Sequence, residues 1–217
     1  MDKKFAIFDL DGTLVDSMVY WENLAKEYLN SKGVFEIPDS ISEQIVTMTM
    51  TESASLFQKE FDLDGIPDVI ADEMNEMMNE HYRHDIPLKE GVKEYLMRLK
   101  DSGVVMCVAS ATDVPLVQSC LSRLGILNHF SFLLSCEMVG RGKSSPDIYL
   151  EAAKRLRALP EDIAVYEDAL YAARTAKTGG FYVIGVYDDS EKDEFGELEM
   201  ISDHVIRSWK EEIDLMI

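Results

Sequence analysis

Asp9-Leu10-Asp11-Gly12-Thr13 places two carboxylates two residues apart, directly after the apolar run Phe5-Ala6-Ile7-Phe8. Such a run reads as a buried strand, and in an open α/β sheet ligands gather at the carboxyl ends of strands. There, one carboxylate can attack an electrophile while the other moves a proton, and both can reach one cation. Gly12 permits a sharp turn and Thr13 offers a hydroxyl. A lone Asp-x-Asp is common in turns, where it caps the next helix, so its chemistry depends on groups further along. Ser110 closes the apolar run Val104-Val105-Met106-Cys107-Val108-Ala109. Lys143 opens Lys143-Ser144-Ser145-Pro146-Asp147, and Glu167-Asp168 closes Ile163-Ala164-Val165-Tyr166. A lone lysine is ordinarily a surface residue and a lone serine a turn or helix cap. Two adjacent acids ending an apolar strand are costly unless a cation or donor meets them.

In this order the motifs resemble those of the haloacid dehalogenase superfamily, most closely its small phosphatases and sugar phosphomutases, over nearly the whole chain. Asp9, Asp11 and Thr13 match its first motif, Asp-x-Asp-x-Thr; Ser110 matches the second. Lys143 matches the third, with Ser144 in place of the first proline of Lys-Pro-x-Pro-Asp, and Glu167-Asp168 the fourth. The resemblance implies that Asp9 is a nucleophile forming an aspartyl-phosphate and Asp11 a general acid and base. It places substrate phosphate on Ser110, Thr13, Lys143 and the backbone N–H groups of Ala111 and Thr112. It implies Mg2+ on Asp9, the Asp11 carbonyl and Asp168, with Glu167 binding directly or through water. The implied activity is magnesium-dependent hydrolysis of a small phosphomonoester, such as a sugar phosphate. The alternatives are a sugar phosphomutase of the beta-phosphoglucomutase kind and a non-catalytic binding protein. Halide removal is disfavoured by Asp11 and the Glu167-Asp168 pair. Ala169 and Ala172 replace a common Ser and Gly of the fourth motif. Trp21 stands where the mutase branch has His, and Met48-Thr49-Met50-Thr51-Glu52-Ser53 offers no basic residue where that branch has an arginine. Hydrolysis is therefore expected over phosphoryl return.

The elements that must position these groups are legible as periodicities. Short apolar runs at 4–8, 104–110, 131–135, 163–167, 181–187 and 203–206 alternate with helical stretches. That pattern predicts a doubly wound α/β domain, a parallel sheet with helices on both faces, over 1–15 and 88–217. One helix is predicted from Leu88-Lys89-Glu90-Gly91-Val92 to about Lys100. Another starts at Asp113 as N-cap and ends before Gly125. Pro146 opens a third, whose stripe of Ile148, Tyr149, Ala152, Ala153 and Leu156 is assigned to core packing. Residues 16–87 show helical spacing, as in Trp21, Leu24, Ala25, Tyr28 and Leu29, and no strand alternation. Met74, Met77 and Met78 read as packing residues. The resemblance makes this segment an α-helical cap domain with hinges near Val15–Ser17 and Pro87–Lys89. His81 and His84 share a helical face and are expected to be merely solvated.

The 217 residues carry 41 acidic and 21 basic side chains, a formal net charge of -20. That balance argues against a nucleic-acid partner and an anionic membrane surface. A small phosphate ester stays compatible, because a metal and one lysine can set the local field. No apolar run approaches the roughly 18 residues that span a bilayer, and Asp2, Lys3 and Lys4 do not form a leader pattern. Cys107, Cys120 and Cys136 lack metal-site spacing, which fits a reducing cytoplasm. No feature of the sequence sets an oligomeric state.

Overall fold

The apolar runs alternate their side chains between two faces, as strands must. Ile7, Cys107, Ala109, Val165 and Val183 lie on one side, packed with Ile148, Ala152 and Ala173. Phe8 and Tyr166 point to the other, stacked with ring centroids 4.1 Å apart, and Tyr166 meets Tyr95 and Trp209 there. The structure is a computed structural model describing residues 3–45 and 48–215; Asp2 lies outside the described residues.

Six strands result: β1 (Phe5–Phe8), β2 (Val105–Ser110), β3 (Phe130–Ser135), β4 (Ile163–Glu167), β5 (Tyr182–Val186) and β6 (His204–Ile206). They form one sheet in the order β3-β2-β1-β4-β5-β6, every neighbouring pair parallel. Between β1 and β2 the chain forms α1 (Met18–Ser31), α2 (Asp39–Ile45), α3 (Met50–Phe61), α4 (Pro67–His84) and α5 (Val92–Asp101). After β2 comes α6 (Val114–Arg123), and after β3 come α7 (Cys136–Val139) and α8 (Asp147–Leu156). Then α9 (Leu170–Thr178) follows β4, α10 (Phe195–Ile201) follows β5 and α11 (Trp209–Leu215) follows β6. Helices α8, α9 and α10 cover the Ile7 face, while α5 and α11 bring Tyr95 and Trp209 to the Phe8 face. The sheet is thus doubly wound, with a helical insertion.

Two local expectations need correction. The helix expected from Leu88 begins only at Val92, because Gly91 takes φ 93°, a left-handed conformation. A Cβ there would come within 3.0 Å of Trp209 Cβ and Lys210 N. Leu88 instead pairs with Val15 in an antiparallel bridge. The Lys89 amide donates to Leu14 O and the Asp16 amide to Pro87 O, both at 3.0 Å, so the two connections are paired. Asp113 does hold the N-cap position of α6, but its side chain makes no capping bond.

Residues Val19–Asp85 form a compact unit of their own. Leu24, Tyr28 and Leu29 of α1, Phe57 of α3, and Ile70, Met74, Met78 and Tyr82 of α4 are buried. Thr49 and Glu52 close a capping box at the start of α3, each side chain taking a bond from the other's backbone N–H. His81 is not merely solvated: its ring nitrogens meet Glu27 at 2.9 Å and Asp85 at 2.8 Å, and its ring leans on Tyr20. Among the described residues no helix is long and apolar enough to cross a membrane.

Candidate active site

Parallel register determines which side chains meet. Phe8 pairs with Tyr166 across β1 and β4, and the Asp9 amide donates to Tyr166 O at 3.0 Å. Asp9 and Glu167 therefore emerge side by side at the carboxyl ends of adjacent strands. Connections run out to opposite sides of the sheet from β1 and β4, and crevices at such a reversal are where α/β sheets bind ligands. Ser110 ends β2, on the other side of β1.

Lys143, from the loop before α8, reaches under this edge. Its Nζ donates to Asp9 Oδ1 and, at 2.8 Å, to Glu167 Oε1, with the ammonium almost wholly buried. Tyr149 of α8 donates its hydroxyl to the same Glu167 oxygen at 2.7 Å. Thr13 donates to Asp168 Oδ1 at 2.9 Å. This bond ties the first motif to the fourth. Gly12 takes φ 72°, and a Cβ on it would collide with the Asp168 carboxylate. Only glycine lets the first motif turn this close to the fourth.

A second group of bonds surrounds Asp11. Ser17 donates to Asp11 Oδ1 at 2.6 Å and Thr112 Oγ1 to Oδ2 at 2.7 Å. The Thr112 amide donates to Ser110 Oγ at 3.0 Å, so Ser110, Thr112 and Asp11 form one chain of contacts. That amide, expected to face a phosphate, is already engaged; Ala111 is exposed. Ser17, the Thr112 hydroxyl and Tyr149 were not legible as site residues. Their only sequence signal is a hydroxyl on an element that ends or passes near a motif.

Asp9, Glu167 and Asp168 bring one carboxylate oxygen each within 4.8 Å of one another, and all three are buried. Three carboxylates against one ammonium leave two formal negative charges away from water. Burial pushes the Asp9 carboxyl well above its usual range; Lys143 opposes this, and Glu167, Asp168 and Asp11 reinforce it. Burial and then Glu167 push Asp168 up to about 7, against the Thr13 hydroxyl and Lys143. Burial works against the Lys143 ammonium, but Asp9 and Glu167 outweigh it and raise its pKa. Glu167 Oε2 is buried without a hydrogen-bond partner. An orphaned oxygen in a cluster two charges short of neutral fits a hard divalent cation with oxygen ligands. His81, His84, His129 and His204 contribute nothing to this cluster.

Comparison with known proteins identifies the family and the fold. Residues 6–186 match the haloacid dehalogenase-like hydrolase family. A bifunctional riboflavin kinase/FMN phosphatase from Arabidopsis thaliana is 30% identical over 181 residues, 83% of this chain and 47% of that protein. The chain thus spans about half the length of that relative. Hexitol phosphatase B from Escherichia coli (strain K12) is 27% identical over 171 residues, 76% of this chain and 75% of that one. A solved structure of a candidate beta-phosphoglucomutase from Thermotoga maritima shares the fold with a TM-score of 0.83 at 21% identity, covering 98% of each chain.

Proposed function

The chain belongs to the haloacid dehalogenase-like hydrolases, and from that premise we propose that it hydrolyses a small phosphomonoester through an aspartyl-phosphate on Asp9. One observation carries this reading: the Asp9 carboxylate sits buried against Lys143, in a cluster with two excess negative charges and an orphaned carboxylate oxygen.

Lys143 holds Asp9 Oδ1, which leaves Oδ2 to attack phosphorus. As the Oδ2–P bond forms, the bond from phosphorus to the ester oxygen breaks, and Asp11 gives that oxygen a proton. Asp11 then takes a proton from water, whose oxygen attacks phosphorus. The P–Oδ2 bond breaks, inorganic phosphate leaves and Asp9 is restored. The donors Ser17 and Thr112 are hydroxyls that can turn to accept, so they can hold Asp11 in either protonation state. Lys143 would offset charge on the transferring group, and Ser110, at the end of β2, would meet one of its oxygens. Asp9, Asp168, Glu167 and the Asp11 carbonyl would hold Mg2+, which when bound offsets the charge of both the cluster and the phosphoryl group. The helical insertion would be the cap domain that the family resemblance implies.

Hydrolysis, rather than return of the phosphoryl group to a sugar, is supported by charge. Returning it requires holding a second phosphate, which calls for a cationic subsite. Between Val19 and Asp85 four lysines or arginines face fifteen aspartates or glutamates, and Lys32, Lys59 and Arg83 are ion-paired within the unit. Trp21 spends its ring N–H on the Tyr82 hydroxyl at 3.2 Å. The 48–53 stretch is occupied by the Thr49–Glu52 capping box.

The test is a panel of phosphate esters with Mg2+, including FMN, hexitol phosphates and sugar 1-phosphates with a trace of sugar bisphosphate. Free phosphate and sugar isomers are both scored. Steady phosphate release without isomerisation is expected; rapid formation of the 6-phosphate with little free phosphate would overturn the hydrolase reading.

A further inference from the structure

Helix α8 buries a stripe that could be wholly apolar, yet one member carries a hydroxyl. Tyr149 is fully buried between Ile148 and Ala152, and its ring meets Phe181 edge-on at 6.0 Å. Phenylalanine would fill the same space. A buried phenol needs a partner, and here it is Glu167 Oε1 at 2.7 Å, the oxygen that Lys143 also holds at 2.8 Å. The two donors converge on one oxygen of the carboxylate and leave the other, Oε2, buried with none. That asymmetry fixes the rotation of the carboxylate about its last bond and aims its unpaired oxygen.

We infer that Tyr149 is a positioning residue: its hydroxyl locks Glu167 so that Oε2 is presented to a divalent cation or to a water bound on it. This rests on the reading of Asp9, Glu167 and Asp168 as a cation site. Lys143 alone could not do the same. Its ammonium is shared with Asp9 and would follow that carboxylate as phosphoryl transfer changes its charge. Among the described residues the phenol has no other acceptor to follow, and its buried ring packs edge-on against Phe181. Supporting groups that orient metal-binding carboxylates typically contribute 10- to 100-fold in metal affinity.

The experiment is calorimetric titration of Mg2+ into the substrate-free protein, comparing wild type, Tyr149→Phe, Glu167→Gln and the double variant. Unfolding of each in chelator serves as the fold check. The inference predicts that Tyr149→Phe binds Mg2+ at least about 10-fold more weakly, with its chelator-state melting temperature little changed. In the Glu167→Gln background the same change should cost little more, because its route of action is gone. Wild-type affinity in Tyr149→Phe, or an equal loss in both backgrounds, would overturn the positioning role while leaving the cation site standing. Absence of Mg2+ binding by the wild type would overturn the cation site and this inference with it.

Discussion

At the scale of single residues, the site is an arrangement of charge. Asp9→Asn removes the carboxylate proposed to attack while keeping its shape, and turnover should fall by at least about 10³-fold in a protein that still melts cooperatively. Asp11→Asn should differ in kind. In the phosphoryl-transfer step, read in a single turnover, it should lose about 10²- to 10⁴-fold on alkyl phosphates, whose leaving oxygen needs a proton, and far less on esters with good leaving groups. Equal losses on both substrate types would remove Asp11 from the acid role. The raised acids also set a pH dependence. Asp168 is pushed up to about 7 in the metal-free cluster, so at lower pH a proton competes with the cation. The sign follows for stability: a carboxyl whose folded pKa is raised favours the fold below its unfolded value, near 3.9, and that contribution is lost as pH rises through about 7. The metal-free protein should therefore lose stability as pH rises from about 4 to just above 7, and added Mg2+ should raise the melting temperature more at pH 8 than at pH 6. A larger Mg2+ effect at pH 6 would contradict this. Gly12→Ala should cost both stability and Mg2+ affinity, since its methyl group would push Asp168 away from Thr13.

At the scale of elements, strand ends position the chemistry, and these were the legible part. The strands β1, β2 and β4 are short apolar runs that end at or beside a polar residue, so Asp9, Ser110 and Glu167 declared their place through the run before them. The side-chain partnerships were not legible. Tyr149 and Glu167 meet only because α8 lies across the Ile7 face, and a tyrosine within an apolar stripe looks like any other core residue. The bond from Thr13 to Asp168 was equally out of view, since 155 positions separate the two along the chain. Leu88–Gly91 read as helix because nothing local marks Gly91 as left-handed, and the residue that approaches it closely, Trp209, lies far along the chain. Within the helical unit, His81 of α4 ties Glu27 of α1 to Asp85. Burial alone would lower its pKa, but the bonds to Asp85 and Glu27 prevail and raise it. Its contribution should be fully present below about pH 6.5 and fade as pH rises through the raised value, by under about 1 kcal/mol for so accessible a pair of ion contacts. His81→Gln should shift the urea midpoint at pH 5.5 and leave it nearly unchanged at pH 8.5; equal shifts at both would refute the linkage.

At the scale of the whole molecule, a net charge of -20 surrounds a site proposed to accept an anion. That contrast makes the divalent cation the condition for binding, and it predicts that substrate affinity without Mg2+ is poor and improves with ionic strength as the acidic surface is screened. The central claim is covalent transfer to Asp9. The direct measurement is to acid-quench the enzyme during turnover of a phosphomonoester with a good leaving group and Mg2+, reduce acyl-phosphates with borohydride and map the peptides by mass spectrometry. Conversion of Asp9 to homoserine, in amounts that rise in the Asp11→Asn variant as hydrolysis of the intermediate slows, is the predicted result. Phosphate release with an unmodified Asp9, or with reduction at a different carboxylate, would contradict it.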